Sequence, residues 1–184
     1  MFYEMLNFVV ETVTGIYAGF LLLRFWMQAL KIRPPSALGQ AIFQLTDRVV
    51  LPLRRLVPGF WGLDWASLIA AYLVAMLVYL FASLWTGQFY FPMVLVLALY
   101  RLLQWIIYGL MALIIIEAIL SFVNPHAPLA PIIRALNQPL LSPLRRLIPA
   151  VGGIDFSPLV ALFLLQVVNR LLAVAFPQLI YYTM

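Results

Sequence analysis

Five ionisable side chains, Glu11, Arg24, Arg101, Glu117 and Arg170, stand inside otherwise apolar stretches of this chain. A charge in such a stretch needs a partner of opposite sign, or it marks a path for an ion or proton. Two Arg-Arg pairs, Arg54-Arg55 and Arg145-Arg146, have other chemistry open to them, because guanidinium forks match phosphate and carboxylate groups. They can bind phospholipid headgroups, hold their own loop by pairing with Asp64 or Asp155, or receive a protein partner. The one histidine, His126, lies in the proline-rich turn Asn124-Pro125-His126-Ala127-Pro128, and there is no cysteine. A single imidazole without a thiolate cannot build a metal site, and disulfides are excluded. The chain has no HExxH, no paired intramembrane aspartates, no Gly-x-Ser-x-Gly and no phosphate-binding glycine loop. No catalytic residue, metal or cofactor is therefore expected, and the chain reads as non-enzymatic.

The elements that must position these groups are set by composition. With 66% hydrophobic and 9% charged residues, 184 residues carry more apolar surface than one soluble core can hide. Four runs are long enough to span a bilayer: about 6–30, 65–85, 93–123 and 158–176. The third, at 31 residues, is about 46 Å as a straight helix, so it must tilt or emerge from the membrane. The start Met-Phe-Tyr-Glu lacks the basic region of a cleavable signal, so the first span reads as retained.

Leu45–Asp64 (LTDRVVLPLRRLVPGFWGLD) returns 91 positions later as Leu136–Asp155 (LNQPLLSPLRRLIPAVGGID), with nine of twenty residues identical and no gap. The shared set includes Pro52/Pro143, Pro58/Pro149, Gly62/Gly153 and Asp64/Asp155. A repeat of half the chain decides the architecture. The expected fold is all-α, a polytopic membrane protein whose four transmembrane helices form two parallel span–basic loop–span repeats, residues 1–92 and 93–184. In each loop, apolar residues fall at i, i+3, i+4, i+7 and i+11: Leu38, Ala41, Ile42, Leu45 and Val49, then Leu129, Ile132, Ile133, Leu136 and Leu140. That spacing predicts an amphipathic helix lying in the headgroup plane, interrupted at Pro52 or Pro143. Asp64 and Asp155 stand where a carboxylate can cap the next span, and Ser157-Pro158 starts the fourth.

The formal net charge of +5 falls entirely in the two long loops. The positive-inside rule then places both loops in the cytoplasm and both termini on the periplasmic side, with anionic lipid rather than nucleic acid as the partner of the basic surface. The repeat register sets Glu11 against Leu102, next to Arg101, and Arg24 against Ile115, two places before Glu117. The expected ion pairs are Glu11–Arg101 and Arg24–Glu117, with Arg170 available to Glu11 or Glu4. Gly15 and Gly19 form a G-x-x-x-G pattern that permits close helix packing in the first span.

The doubled Pro-Leu-Arg-Arg-Leu-[Val/Ile]-Pro stretches followed by Gly-x-Asp resemble the YggT family of bacterial membrane proteins, related to the YlmG-type proteins of chloroplasts. The second copy, Pro143–Pro158, matches the pattern PxRRxxPxxGGxDxSP throughout, including Gly152, Gly153, Ser157 and Pro158. The first departs from it at Trp61, Ala66 and Ser67. The resemblance implies a bacterial inner-membrane protein with no catalytic activity. It also implies links to osmotic stress tolerance and potassium uptake, and, in relatives, to cell division, plastid nucleoid distribution or cytochrome complex assembly. Two readings follow. One is a scaffold or assembly factor whose basic face meets lipid and a membrane protein partner, or a further copy of itself. The alternative is a small oligomeric channel or transporter component in potassium or osmotic homeostasis.

Overall fold

A computed structural model describes residues 1–87, 90–148 and 155–183. Among these the chain is all-α: α1 (Phe2–Ala29), α2 (Ser36–Leu56), α3 (Trp65–Thr86), α4 (Phe91–Val123), α5 (Ala130–Leu147) and α6 (Ser157–Thr183). Four segments are long and apolar enough to cross a bilayer: Glu4–Ala29, Trp65–Trp85, Phe91–Val123 and Ser157–Gln178. They leave Phe8, Ile16, Leu77, Ile119, Phe163 and Leu171 exposed. Such a density of bare apolar side chains would be unfavourable in water and is the ordinary surface of a helix in lipid. The chain is a multi-pass membrane protein. At 1.5 Å per residue α4 is about 50 Å long, well beyond a hydrocarbon core of about 30 Å.

Local chemistry explains where the helices stop. At the end of α1, Lys31 takes a left-handed conformation (φ 56). Its N–H reaches Gln28 O at 3.0 Å while Ile32 N–H reaches Met27 O at 2.9 Å, the paired bonds of a Schellman turn. The expected interruption at Pro52 and Pro143 is corrected: α2 and α5 each run four residues past that proline. A proline removes one rung and crowds the turn before it, which bends a helix that packing holds in place. The ends fall instead at Val57 (φ −122, ψ 88) and Ile148 (φ −116, ψ 98), each followed by a proline. The ring of the following proline bars the helical region to the residue before it. Pro58 and Pro149, rather than Pro52 and Pro143, terminate the interfacial helices.

Contacts group into two compact units, Met1–Ile106 with Val174–Met184, and Ile107–Ala173. In the first, α1 packs on α3 and both pack on α2. Its core is Leu21, Val50, Ala66, Ala70, Ala71 and Leu102. The alanines of α3 let the backbones approach, which is how helices gain van der Waals contact where lipid removes the hydrophobic drive. Gly15 serves the same end against the first half of α4, since a Cβ there would meet Trp105 Nε1 at 3.4 Å; Gly19 faces open space. The second unit has a smaller core of Ile114, Leu141 and Ala161. Val50 and Leu141, like Ala70 and Ala161, are the same positions of the repeat.

The amphipathic stripe on α2 is rotated from its expected place. Ile42 is buried, but Ala41 and Leu45 are exposed while Thr46 and Val50 are buried. An interfacial helix has two apolar neighbours, lipid and protein, so apolar spacing alone does not say which face meets the protein. On α5 the buried set is Ala130, Leu136, Asn137 and Leu141. Both helices thus turn a polar side chain, Thr46 or Asn137, into the interior.

Candidate functional site

Thr46 and Asn137 mark equivalent polar clusters, one in each unit. In the first, Arg24 projects from the last turns of α1 and is 4% exposed. Its Nη1 donates to Thr46 Oγ1 at 2.7 Å and to Asp47 Oδ1 at 2.6 Å. Its Nε lies 3.4 Å from Asp64 Oδ2, an ionic contact outside hydrogen-bond geometry. The guanidinium carbon sits 4.9 Å from the centre of the Phe43 ring, a cation–π arrangement. Asp64, 1% exposed, also accepts from Arg54 Nη2 at 2.6 Å and from Ser67 Oγ at 2.7 Å. The Asp64 side chain makes no capping bond to the amides of α3. The expected cap is corrected: Arg24, Arg54 and Ser67 all engage the one carboxylate oxygen Oδ2. Two cations meet two carboxylates, and the cluster is neutral.

In the second unit the in-span group has the opposite sign. Glu117, 6% exposed, projects from the last turns of α4. Its Oε1 accepts from Arg145 Nη2 at 3.0 Å and its Oε2 from Asn137 Nδ2 at 2.8 Å. Asn137 Nδ2 also reaches Leu113 O at 2.9 Å, and its buried Oδ1 has no partner among the described residues. Arg145 Nε donates to Asp155 Oδ2 at 2.8 Å. Asp155 Oδ1 accepts from the Ser157 N–H at 2.9 Å, so this carboxylate does cap its span. One cation meets two carboxylates here, a formal excess of one negative charge. Burial opposes charge on Arg145, but hydrogen bonds from it to Asp155 and Glu117 outweigh that and raise its pKa above its ordinary value. Burial likewise pushes the Asp155 carboxyl up, yet the Arg145 bond and the Ser157 amide prevail and hold it below its ordinary value.

Arg24 and Glu117, the expected pair, lie in different units, and each has partners inside its own. Both stand near the interfacial ends of their helices, where long loop side chains reach them. Arg101 Nη2 lies 3.0 Å from Glu11 Oε2, and Asn7 Nδ2 donates to Glu11 Oε1 at 3.0 Å. Arg170 is exposed and has no ion-pair partner among the described residues, while Glu4 pairs with the chain's N-terminal ammonium at 3.1 Å. Of each Arg-Arg pair, the first member turns inward as described. Arg55 and Arg146 are exposed and make no ion pair among the described residues. His126 is exposed, its N–H bonded to Asn124 Oδ1 at 3.2 Å in the turn after α4.

The loop residues differ between copies. Gly62 adopts φ 78, open to glycine at no steric cost. Trp61 beside it has φ 56, a strained value for a side-chain-bearing residue, at the register position of Gly152. It is exposed and stacks on Phe60 with ring centres 5.4 Å apart, an aromatic pair suited to the membrane–water boundary. Pro149, Gly152 and Gly153 lie outside the described residues. Ser157 is buried as the first residue of α6, and Pro158 follows in its first turn.

Comparison with known proteins gives this arrangement its place. The family model described as CCB3/YggT matches twice, over residues 3–85 and 96–176. The chain belongs to that family. It is 34% identical over 165 residues to a protein of Escherichia coli K12 named "Uncharacterized protein YggT", covering 89% of this chain and 87% of the relative. It is 31% identical over 178 residues to a Vibrio alginolyticus protein, 91% and 92% covered, and 32% identical over 174 residues to one of Pseudomonas aeruginosa, 89% and 86% covered. No solved structure matches the chain. The two family matches each contain one complete polar cluster, so in this chain each match comprises a span, an interfacial helix with its Arg-Arg pair, and a second span preceded by aspartate.

Thr46, Asp47, Asn137 and Arg134 are absent from the sequence-derived site. The first and third were legible as polar residues at one register position of both repeats, set within the amphipathic helices α2 and α5.

Proposed function

We propose that this protein is a non-enzymatic scaffold or assembly factor of the bacterial inner membrane. Its basic loop face, on the cytoplasmic side, holds anionic lipid and a membrane protein partner. The carrying observation is the division of labour among the arginines. Arg24, Arg54, Arg101 and Arg145 are each committed to carboxylates of their own unit. Arg55, Arg134 and Arg146 are exposed on the interfacial helices and carry no ion pair among the described residues. Charge neutralised inside fixes helix register; charge left outside is available for headgroups and partners. The links to osmotic stress tolerance and potassium uptake come to this reading by family resemblance.

Purification in mild detergent, with identification of co-purifying proteins and lipids, tests it. A stoichiometric membrane protein partner, lost on exchange of Arg55 and Arg146 for glutamine, is expected. A homo-oligomer that conducts potassium after reconstitution would favour the channel reading instead. Exchanging the charges of Glu11 and Arg101 together sharpens this outcome: restored folding with unchanged flux removes that pair from any ion path.

A further inference from the structure

The polar side of α5 carries a groove of about 560 Å³ whose lining includes Arg134, Gln138, Ser142, Arg145 and Arg146. Arg145 is already answered by Glu117 and Asp155. Arg134 and Arg146 are not answered by any carboxylate among the described residues, and no carboxylate lines the groove. They stand twelve positions apart in the chain, about 18 Å along the helix at 1.5 Å per residue. That is the spacing of their backbone positions; both side chains line the one groove, so two unanswered guanidiniums offer it two separate positive charges, one for each of two anionic centres. Gln138 and Ser142 between them supply neutral donors and acceptors.

We propose that this groove binds the headgroup of an anionic phospholipid carrying two phosphates; the inference rests on the reading of the basic loop face as lipid-facing. Guanidinium forks bind phosphate oxygens in pairs, and basic pockets beside membrane spans suit such headgroups. The placement favours lipid over a soluble phosphate. α5 lies in the chain between the end of one spanning helix at Val123 and the start of the next at Ser157. Leu147, adjacent to Arg146, is 78% exposed, and Phe122, Val123 and Leu129 are also bare. Leu129 and Leu147, which flank the lining stretch 131–146 in the chain, offer apolar surface for acyl chains next to a polar groove for the head. The site belongs to one copy only. At the same register the first repeat has Phe43 for Arg134, Asp47 for Gln138 and Leu51 for Ser142. A carboxylate at the centre would repel phosphate, and one of the two end cations is missing.

The test uses the full chain in nanodiscs of phosphatidylcholine doped with diphosphatidylglycerol or with phosphatidylglycerol at equal formal charge, reading retained lipid by native mass spectrometry. About one diphosphatidylglycerol per chain is expected, in preference to the single-phosphate lipid. Arg134→Gln and Arg146→Gln, both at exposed unpaired positions that leave the fold intact, should each reduce retention roughly fivefold, as for about 1 kcal/mol per basic residue. Arg170→Gln, exposed on α6 and outside both the basic loops and the groove lining, should leave it unchanged. Equal retention of the two lipids at equal charge, indifference to both groove variants, or displacement by millimolar inorganic phosphate would each overturn the proposal while sparing the lipid-facing reading. If the wild-type chain retains neither anionic lipid above phosphatidylcholine, that reading fails as well.

Discussion

The two polar clusters use one frame with opposite in-span charges. In both, the first arginine of the Arg-Arg pair reaches the aspartate ten residues on, and the interfacial helix contributes a buried polar side chain at one register position. In the first unit the span supplies a cation, Arg24, and the frame adds Asp47 to balance it. In the second the span supplies a carboxylate, Glu117, and Gln138 stands where Asp47 would be. The aspartate differs in burial accordingly: Asp64 is 1% exposed and Asp155 38%. An arginine–aspartate bridge across the loop therefore tolerates either sign at the span end, provided its neighbours adjust. The first cluster is a closed neutral knot, whereas the second is open and faces a basic groove.

The largest effect that would break this comparison lies at the two aspartates. Asp64→Ala leaves buried Arg24 with Asp47 alone and Arg54 with no carboxylate among the described residues, and removing one partner of such a buried network costs about 3–5 kcal/mol. Asp155→Ala removes a half-exposed partner, and exposed pairs are worth about 0–1 kcal/mol. Thermal unfolding of the two variants in the same detergent should separate them clearly. Equal losses would mean that the closed and open clusters are energetically the same, and the distinction drawn above would fall.

How much of this was readable beforehand can be judged residue by residue. The spans, the doubled loop and its Arg-Arg and aspartate positions follow from apolar run lengths and a twenty-residue stretch that recurs 91 positions on, both of which a single chain displays. The bridge from Arg54 to Asp64 and from Arg145 to Asp155 was one of three open uses of those arginines. Register places Arg24 and Glu117 only relative to the repeat and does not reveal the partner that each has inside its own unit. It ignores that a charge near a helix end finds loop side chains sooner than another span. Thr46 and Asn137 stand out as polar residues at one register position, but a periodic apolar stripe assigns such residues to water, while a buried guanidinium or carboxylate makes the opposite orientation favourable. The groove on α5 depends on which arginines remain unpaired, a property of folded geometry.

A double-mutant cycle over Glu117 and Arg145 sharpens the second cluster. Arg145→Gln alone leaves Glu117 buried with only the Asn137 amide, and Glu117→Gln alone still leaves Arg145 its bond to Asp155. The single losses should be unequal, the arginine variant the worse. The double variant should recover part of the loss, with a coupling of about 2 kcal/mol, inside the range for groups in one network. A coupling near zero would show that Glu117 is held by Asn137 and by packing on α4, with Arg145 serving the aspartate alone.

The smallest effect is a pH dependence of the open cluster. Asp155 has its pKa held below the ordinary carboxylate value: burial works against this, and the Arg145 bond and Ser157 amide overcome it. A group whose folded value is depressed contributes stability that is complete above its unfolded value and is lost as pH falls through the folded one. The wild-type unfolding midpoint should thus decline on acidification below the ordinary carboxylate range. Asp155→Asn removes the titrating group, so the gap between variant and wild type should narrow over that same interval. A gap that stays constant through it would mean that Arg145 gains nothing from the charge on Asp155. The bridge in the second repeat would then be an amide cap with an arginine nearby, and the two clusters would no longer share their central bond.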